Sequence, residues 1–156
     1  RFSHDKSPYN PSFRAHIGSK GKLPIPVGYF LMIRPGNRSF LGGGLFADMF
    51  KDATTMVRGQ IAQRGDEWEE IITAVDFAEH FTVQGSALKK VPQGYAPQHP
   101  QAEYLKNKSW YLEFPVADDI VEGEGFVRYA TDVFMKMRPF NAYLNKALEG
   151  FQMPTR

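Results

Sequence analysis

Residues 28–46, GYFLMIRPGNRSFLGGGLF, contain the clearest strand and turn signals of the chain. Residues 29–33 form a continuous apolar run, which is typical of a central β-strand. Residues 35–37, Pro-Gly-Asn, favour a tight turn, and residues 39–46 are apolar at both ends. These features predict a β-hairpin whose two strands are neighbours in one sheet.

Two further strands extend this hairpin into a sheet. Phe13, Ala15 and Ile17 alternate with Arg14 and His16, which predicts a strand with one apolar and one cationic side. Large apolar residues at every second position after residue 109 predict a fourth strand, which ends at Pro115. We therefore expect a mainly antiparallel sheet of about four strands, near residues 12–18, 28–35, 38–46 and 109–115.

Apolar residues at a helical spacing follow the hairpin. The pattern predicts a helix over residues 48–64 with Asp48 as its cap, and a second helix that begins with a capping box of Asp66 and Glu69. Its buried stripe is predicted to run from Trp68 to Val75. Further on it predicts a short helix near residues 102–106 and a long helix from residue 126 with a kink or break at Pro139. With the helices on one face of the sheet, the chain is expected to form one α+β domain over residues 1–156.

The composition excludes several classes of protein. The chain has 156 residues, of which 42% are hydrophobic, and it contains no cysteine. It can therefore bury a core without disulfides, and the sequence offers no thiolate nucleophile. No apolar run approaches the roughly 20 residues that a membrane helix needs, so we expect no membrane contact. The absence of cysteine agrees with a reducing compartment, so we expect a cytoplasmic location.

Neither a metal site nor a nucleotide loop is indicated by the known spacings. The four histidines, at positions 4, 16, 80 and 99, form no HxxxH pair. The glycines at 42–44 are not followed by a Lys-Ser or Lys-Thr pair, and no G-x-S-x-G elbow occurs. We expect no metal, and we interpret the glycines as a strand bulge or a close backbone approach.

The charge is distributed unevenly along the chain. Residues 1–38 contain seven cations and one acid, a net charge of +6, which leaves the remainder at −4. Arg14 and His16 share one strand face, and Arg34 follows on the next strand. Converging cations favour an anionic ligand, but strand arginines also pair with helix carboxylates, and both interpretations stay open here.

Asp5, Lys6 and Tyr9 lie close together just before the first strand. An acid, an amine and a phenol within five residues indicate a binding or catalytic site. The same residues are also typical of a turn in which Asp5 bonds to the local backbone.

Three segments together resemble an uncharacterised bacterial family, domain of unknown function 2461. They are RFSHDKSPYNPSFRAHIG, GYFLMIRPGNRSFLGGGLF and LKKVPQGYAPQHPQAEYLKNKSWYL. The family motif is R-x-x-R-D-x-R-F followed by D-K-x-x-Y, and Arg1, Asp5, Lys6 and Tyr9 match its second half. The resemblance implies that Arg1 is an internal residue behind a missing helical segment, and that an apolar patch near Phe2 and the first strand is left bare. It names no activity or cofactor.

The sequence favours a binding or enzymatic site for an anionic, phosphorylated small molecule on the basic sheet region. The candidate residues are Arg1, Asp5, Lys6, Tyr9, Arg14 and Arg34. Nucleic acid is a weaker candidate partner, because the whole chain is nearly neutral. The alternative is a structural or protein-interaction domain in which Asp5 and the arginines form an ion-pair network without catalysis.

Overall fold

The computed structural model describes residues 9–18, 27–45 and 50–152. It contains one antiparallel sheet with the strand order β1-β2-β3-β4. The strands are β1 (Phe13–Ile17), β2 (Val27–Ile33), β3 (Ser39–Leu45) and β4 (Trp110–Val116). The predicted sheet and its hairpin are confirmed, because β2 pairs with β3 across the turn at residues 35–37.

Six helices lie in the described part of the chain. They are α1 (Lys51–Gln63), α2 (Gly65–Thr73), α3 (Val75–Ala78), α4 (Ala102–Leu105), α5 (Asp118–Glu122) and α6 (Phe126–Ala147). The α+β fold class is therefore correct. Among them α6 makes the most extensive contacts with β2 and β3.

Strand register divides the sheet into two faces. Leu31 lies opposite Ala15 on one side and Leu41 on the other, and Leu41 in turn faces Phe114. These four residues lie on the face of the sheet against which the helices pack. Every sheet residue of the hydrophobic core lies on that same face. We call the opposite side the open sheet face; its described side chains include Arg14, His16, Phe30, Met32, Phe40 and Glu113.

The predicted capping box at the second helix is wrong. Helix α2 already begins at Gly65, and its cap residue Arg64 makes no side-chain capping bond. Glu69 instead accepts a hydrogen bond from Gln101 Nε2 at 3.2 Å. The cap predicted at Asp48 lies outside the described residues. Val75 was expected in the buried stripe but begins α3, and it is 72% exposed.

Neither Pro139 nor Pro115 ends the helix or strand that contains it. Helix α6 continues through Pro139 to Ala147, and β4 includes Pro115, which lies opposite Phe40. Strand β4 is at the end of the strand order, where a missing backbone N–H is tolerated.

The glycines of β3 form no bulge. Pairing with β2 and β4 continues without a register shift through residues 42–44, so the predicted bulge is wrong. The alternative, a close backbone approach, is correct. A Cβ atom at Gly43 would lie 2.9 Å from Met137 Sδ and 3.4 Å from Asn141 Oδ1, because α6 packs directly over this glycine.

No helix within the described ranges combines the length and apolar character needed to cross a membrane. On β1, Phe13 is 60% exposed and Ile17 is 49% exposed. Apolar area is therefore bare on the first strand, where a patch was expected. The segment that would cover it stays a prediction.

Candidate ligand site on the open sheet face

Arg14 and His16 lie side by side on the open sheet face because they are two residues apart on β1. Across the β1–β2 pair they face Met32 and Phe30. The His16 ring stacks on the Phe30 ring with 4.7 Å between the centroids and 20° between the planes. A side chain at Gly28 would collide with the imidazole, so this glycine makes room for the stack.

A shallow cavity of about 370 Å³ joins these residues. Arg14 and His16 contribute its polar groups, and its floor comes from Phe30, Met32 and Phe40. The three floor residues are only half-buried. The arrangement therefore offers an apolar surface for a flat ring beside a guanidinium and an imidazole.

Arg14 is exposed and forms no ion pair with any carboxylate in the described part of the chain. The four ion pairs found there all link residues outside the sheet. The alternative in which this arginine pairs with a helix carboxylate therefore has no support among the described residues.

Arg34 follows the last residue of β2 and is half-buried. Its backbone N–H donates to Ser39 Oγ at 2.9 Å, and that hydroxyl donates back to the Arg34 carbonyl. Its Nε atom is buried and has no hydrogen-bond partner among the described residues. A buried N–H of this kind is costly unless an acceptor reaches it.

The other predicted site residues give less information. Arg1, Asp5 and Lys6 lie outside the described residues, and Tyr9 is 82% exposed. Arg38 donates from Nε to the Pro35 carbonyl at 2.9 Å within its own turn. Whether Arg34 or Arg38 comes within reach of Arg14 stays a prediction.

Sequence reasoning found the two polar residues of the cavity but missed its floor. Residues 29–33 are all apolar, so the pattern indicated a central strand but not which of its side chains face the helices. Within the described ranges, helices pack against one face of β2. The sequence signal was that Arg14 and His16 occupy alternate positions of β1 and so mark its polar side. The residues of β2 that lie opposite them belong to the same side of the sheet.

A family model described as "Conserved hypothetical protein (DUF2461)" matches residues 1–143. The matched range includes all four strands and most of α6. No match was found among curated proteins or among solved structures.

Proposed function

Because the chain belongs to the family described as "Conserved hypothetical protein (DUF2461)", which names no activity, we propose a function from the geometry of the open sheet face. The protein binds a small phosphorylated molecule that carries a flat ring. The observation that supports this most directly is that one cavity brings together Arg14, His16 and the floor residues Phe30, Met32 and Phe40.

The floor provides binding energy for the ring. Stacking of a base on an aromatic side chain contributes about 1–3 kcal/mol. Phe30 is already held in place by its stack with His16, so little side-chain entropy is lost when a ligand binds.

The positive charge of the proposed site favours a phosphate group on the ligand. Arg14 has no ion-pair partner in the described structure, and a guanidinium can bind two phosphate oxygens at once. The net charge of +6 on residues 1–38 adds a positive field on this part of the chain. Arg34 does not line this cavity. We propose it as a second anion ligand because its Nε–H has no acceptor among the described residues.

Arg1, Asp5, Lys6 and Tyr9 complete the proposed site through the family motif. Tyr9 is five residues from Arg14, so the chain between the two residues spans at most about 18 Å. In this arrangement Lys6 and Arg1 add positive charge, Asp5 orients the cations, and Tyr9 donates its hydroxyl.

The test is calorimetric titration with adenosine monophosphate, adenosine and inorganic phosphate. We expect adenosine monophosphate to bind more tightly than either half of the molecule. Arg14→Gln should weaken its binding at least about tenfold, the range for hydrogen bonds to charged groups. Arg128→Gln is the matched control, because Arg128 is an exposed cation on α6 at the other face of the sheet.

Three outcomes would contradict the proposal. One is no binding of adenosine monophosphate, and another is equal binding by the Arg14→Gln and Arg128→Gln variants. The third is a single-stranded oligonucleotide that binds far more tightly than the mononucleotide, which would favour nucleic acid. If Arg14→Gln unfolds the protein in a thermal scan, the ion-pair alternative is supported instead.

A further inference from the structure

A second cavity, of about 470 Å³, lies beside β4, at the opposite end of the strand order from β1. The chain that follows α3 runs along β4 there, and one isolated bridge joins Gln84 to Tyr111 while another joins Ala87 to Asn107. Residues of this segment and of α4 line the cavity. None of the lining residues belongs to the cavity on the open sheet face.

Asn107 is the most constrained polar residue of this lining. It is 8% exposed, and its backbone is fully paired. Its N–H donates to the Tyr104 carbonyl at 3.2 Å, and its carbonyl accepts from Arg58 Nε at 3.1 Å and from Arg58 Nη2 at 2.8 Å. All the hydrogen bonds that Asn107 makes with described residues use this backbone. Its side-chain amide therefore has donors and an acceptor still to satisfy.

Two observations place this amide at the cavity. Its Nδ2 atom lies beside Gly85, which also lines the cavity: a Cβ atom at Gly85 would be 3.2 Å from Nδ2. The fully enclosed side-chain atoms that lack a partner in the described ranges belong to other residues, so both amide atoms of Asn107 keep accessible surface. A mostly buried amide with accessible surface beside a lining residue is open to a ligand in the cavity.

Tyr104 adds a hydroxyl group to the same lining. Its ring packs edge-on against Trp68, with 5.4 Å between the centroids. The hydrogen bonds that Tyr104 makes with described residues use its backbone, as those of Asn107 do. Partial burial raises the pKa of the phenol, so at neutral pH the hydroxyl keeps its proton and can both donate and accept.

The lining has no uncompensated charge. Of the described residues that line the cavity, Glu103 alone is charged, and its carboxylate already accepts from Lys106 Nζ at 2.6 Å. Glu103 would repel an anionic ligand, and a cationic ligand would have to compete with Lys106. A purely apolar ligand would leave the amide of Asn107 without partners, which is costly. The ligand that fits is therefore neutral and polar.

The hydrogen-bonding groups come from different elements around the cavity. Gln84 belongs to the segment beside β4, Tyr104 to α4, and Asn107 to the turn that follows α4. A flat base has hydrogen-bonding groups only in its plane, whereas a pyranose sugar has hydroxyls around its whole ring. Each hydroxyl also both donates and accepts, as the two halves of an amide require. The volume lies in the range of small-molecule sites.

We propose that this cavity binds a neutral monosaccharide. Its hydroxyls bond to the Asn107 amide and to the Tyr104 phenol, and further hydroxyls reach the exposed amide of Gln84. The proposal does not depend on the function assigned to the open sheet face.

The test is an NMR titration of the full chain with D-glucose, D-galactose and D-mannose, which differ in the orientation of single hydroxyls. We expect at least one hexose to bind saturably and to shift the amides of residues 83–87 and 103–111. Tyr104→Phe should weaken this binding about threefold or more, as expected for one neutral hydrogen bond, and Asn107→Ala about tenfold. Tyr129→Phe is the matched control, because Tyr129 is a half-buried tyrosine on α6 that does not line this cavity.

Charged analogues test whether the ligand is neutral. D-glucosamine and D-glucuronate should bind no more tightly than the neutral hexoses, and tighter binding by either of them, or by adenine, would overturn the choice of a neutral sugar. Equal binding by the Tyr104→Phe and Tyr129→Phe variants would overturn the assignment of the phenol. No saturable binding of any of the three hexoses would overturn the proposal as a whole. If Asn107→Ala unfolds the protein, Tyr104→Phe decides, because it keeps the ring that packs on Trp68.

Discussion

Gly44 shows how strongly a single position in β3 is constrained. Its φ of +105° is rarely adopted by other residues, and a Cβ atom there would overlap the Trp110 carbonyl oxygen and approach Tyr111 Cα. Backbone strain and overpacking each cost about 1–3 kcal/mol. Gly44→Ala should therefore lower the free energy of unfolding by about 3 kcal/mol or more, as measured by urea denaturation.

Gly59→Ala is the matched control for that substitution. Gly59 lies inside α1, and a Cβ atom there would meet nothing within 4 Å. Alanine in a helix interior should stabilise the protein by about 0.5–1 kcal/mol. If both variants changed stability in the same direction, the packing described for β3 would be wrong.

Tyr143 makes the free energy of unfolding depend on pH in the alkaline range. Its hydroxyl lies 3.1 Å from the Gln60 carbonyl and 3.0 Å from the Arg64 carbonyl, at the end of α1. Burial raises its pKa in the folded state, and Glu67 and Asp66 raise it further against the opposing effect of Arg64. Because an unfolded tyrosine loses its proton near pH 10, the stabilisation is complete below pH 10 and declines as the pH rises above it.

The measurement is the free energy of unfolding in urea between neutral pH and about pH 11. The wild type should lose up to about 1.4 kcal/mol per pH unit above pH 10 through this group. Tyr143→Phe should be less stable by about 1 kcal/mol at neutral pH and should show a shallower alkaline decline. Identical slopes for the two proteins would show that Tyr143 does not carry the effect.

At the scale of elements, the β2–β3 turn is clamped by helix α5. The Asp118 carboxylate accepts from the Gly36 N–H at 2.8 Å and from the Asn37 N–H at 3.0 Å, and the Asp118 N–H donates to Asn37 Oδ1. Asp118→Ala should therefore destabilise the protein by about 1–2 kcal/mol in urea unfolding. Glu122→Ala, at the exposed end of the same helix, should change the stability by less than about 0.5 kcal/mol, and a larger effect there would argue against the clamp.

Strands β1 and β3 should differ in local stability. Strand β3 lies between two neighbours and is almost wholly buried. Among the described strands β1 pairs with β2 alone, and its side chains are mostly exposed. We expect the amides of β3 to exchange with solvent at least about tenfold more slowly than those of β1. Comparable protection of Ala15 and Leu41 in a hydrogen-exchange experiment would contradict this order.

The elements with strong periodicity were predictable from the sequence, whereas those held by distant contacts were not. Alternation found β1 and β4, and the apolar runs around residues 35–37 found the hairpin. Helix α5 was missed because it has only five residues and is anchored to a turn about 80 residues earlier in the chain. The capping box failed because Glu69 bonds to Gln101, a partner that local sequence cannot indicate.

At the scale of the whole molecule, the sheet separates a packed side from an exposed side. Helix α6 and the hydrophobic core occupy one face, and the cavity with Arg14 and His16 lies on the other. The charge pattern and the period of β1 were sufficient to predict the position of these two residues. The apolar floor was hidden from sequence analysis, because a continuous apolar run does not reveal which of its residues face a helix.

The most direct test of the proposed function is an amide NMR titration of the whole protein with adenosine monophosphate. We predict shifts concentrated on Arg14, His16, Phe30, Met32 and Phe40, with little change in α6, and loss of this pattern in Arg14→Gln. Shifts that are absent, or that fall on the helix-covered side of the sheet and leave β1 and β2 unchanged, would contradict the assignment of the open sheet face as an anion-binding site.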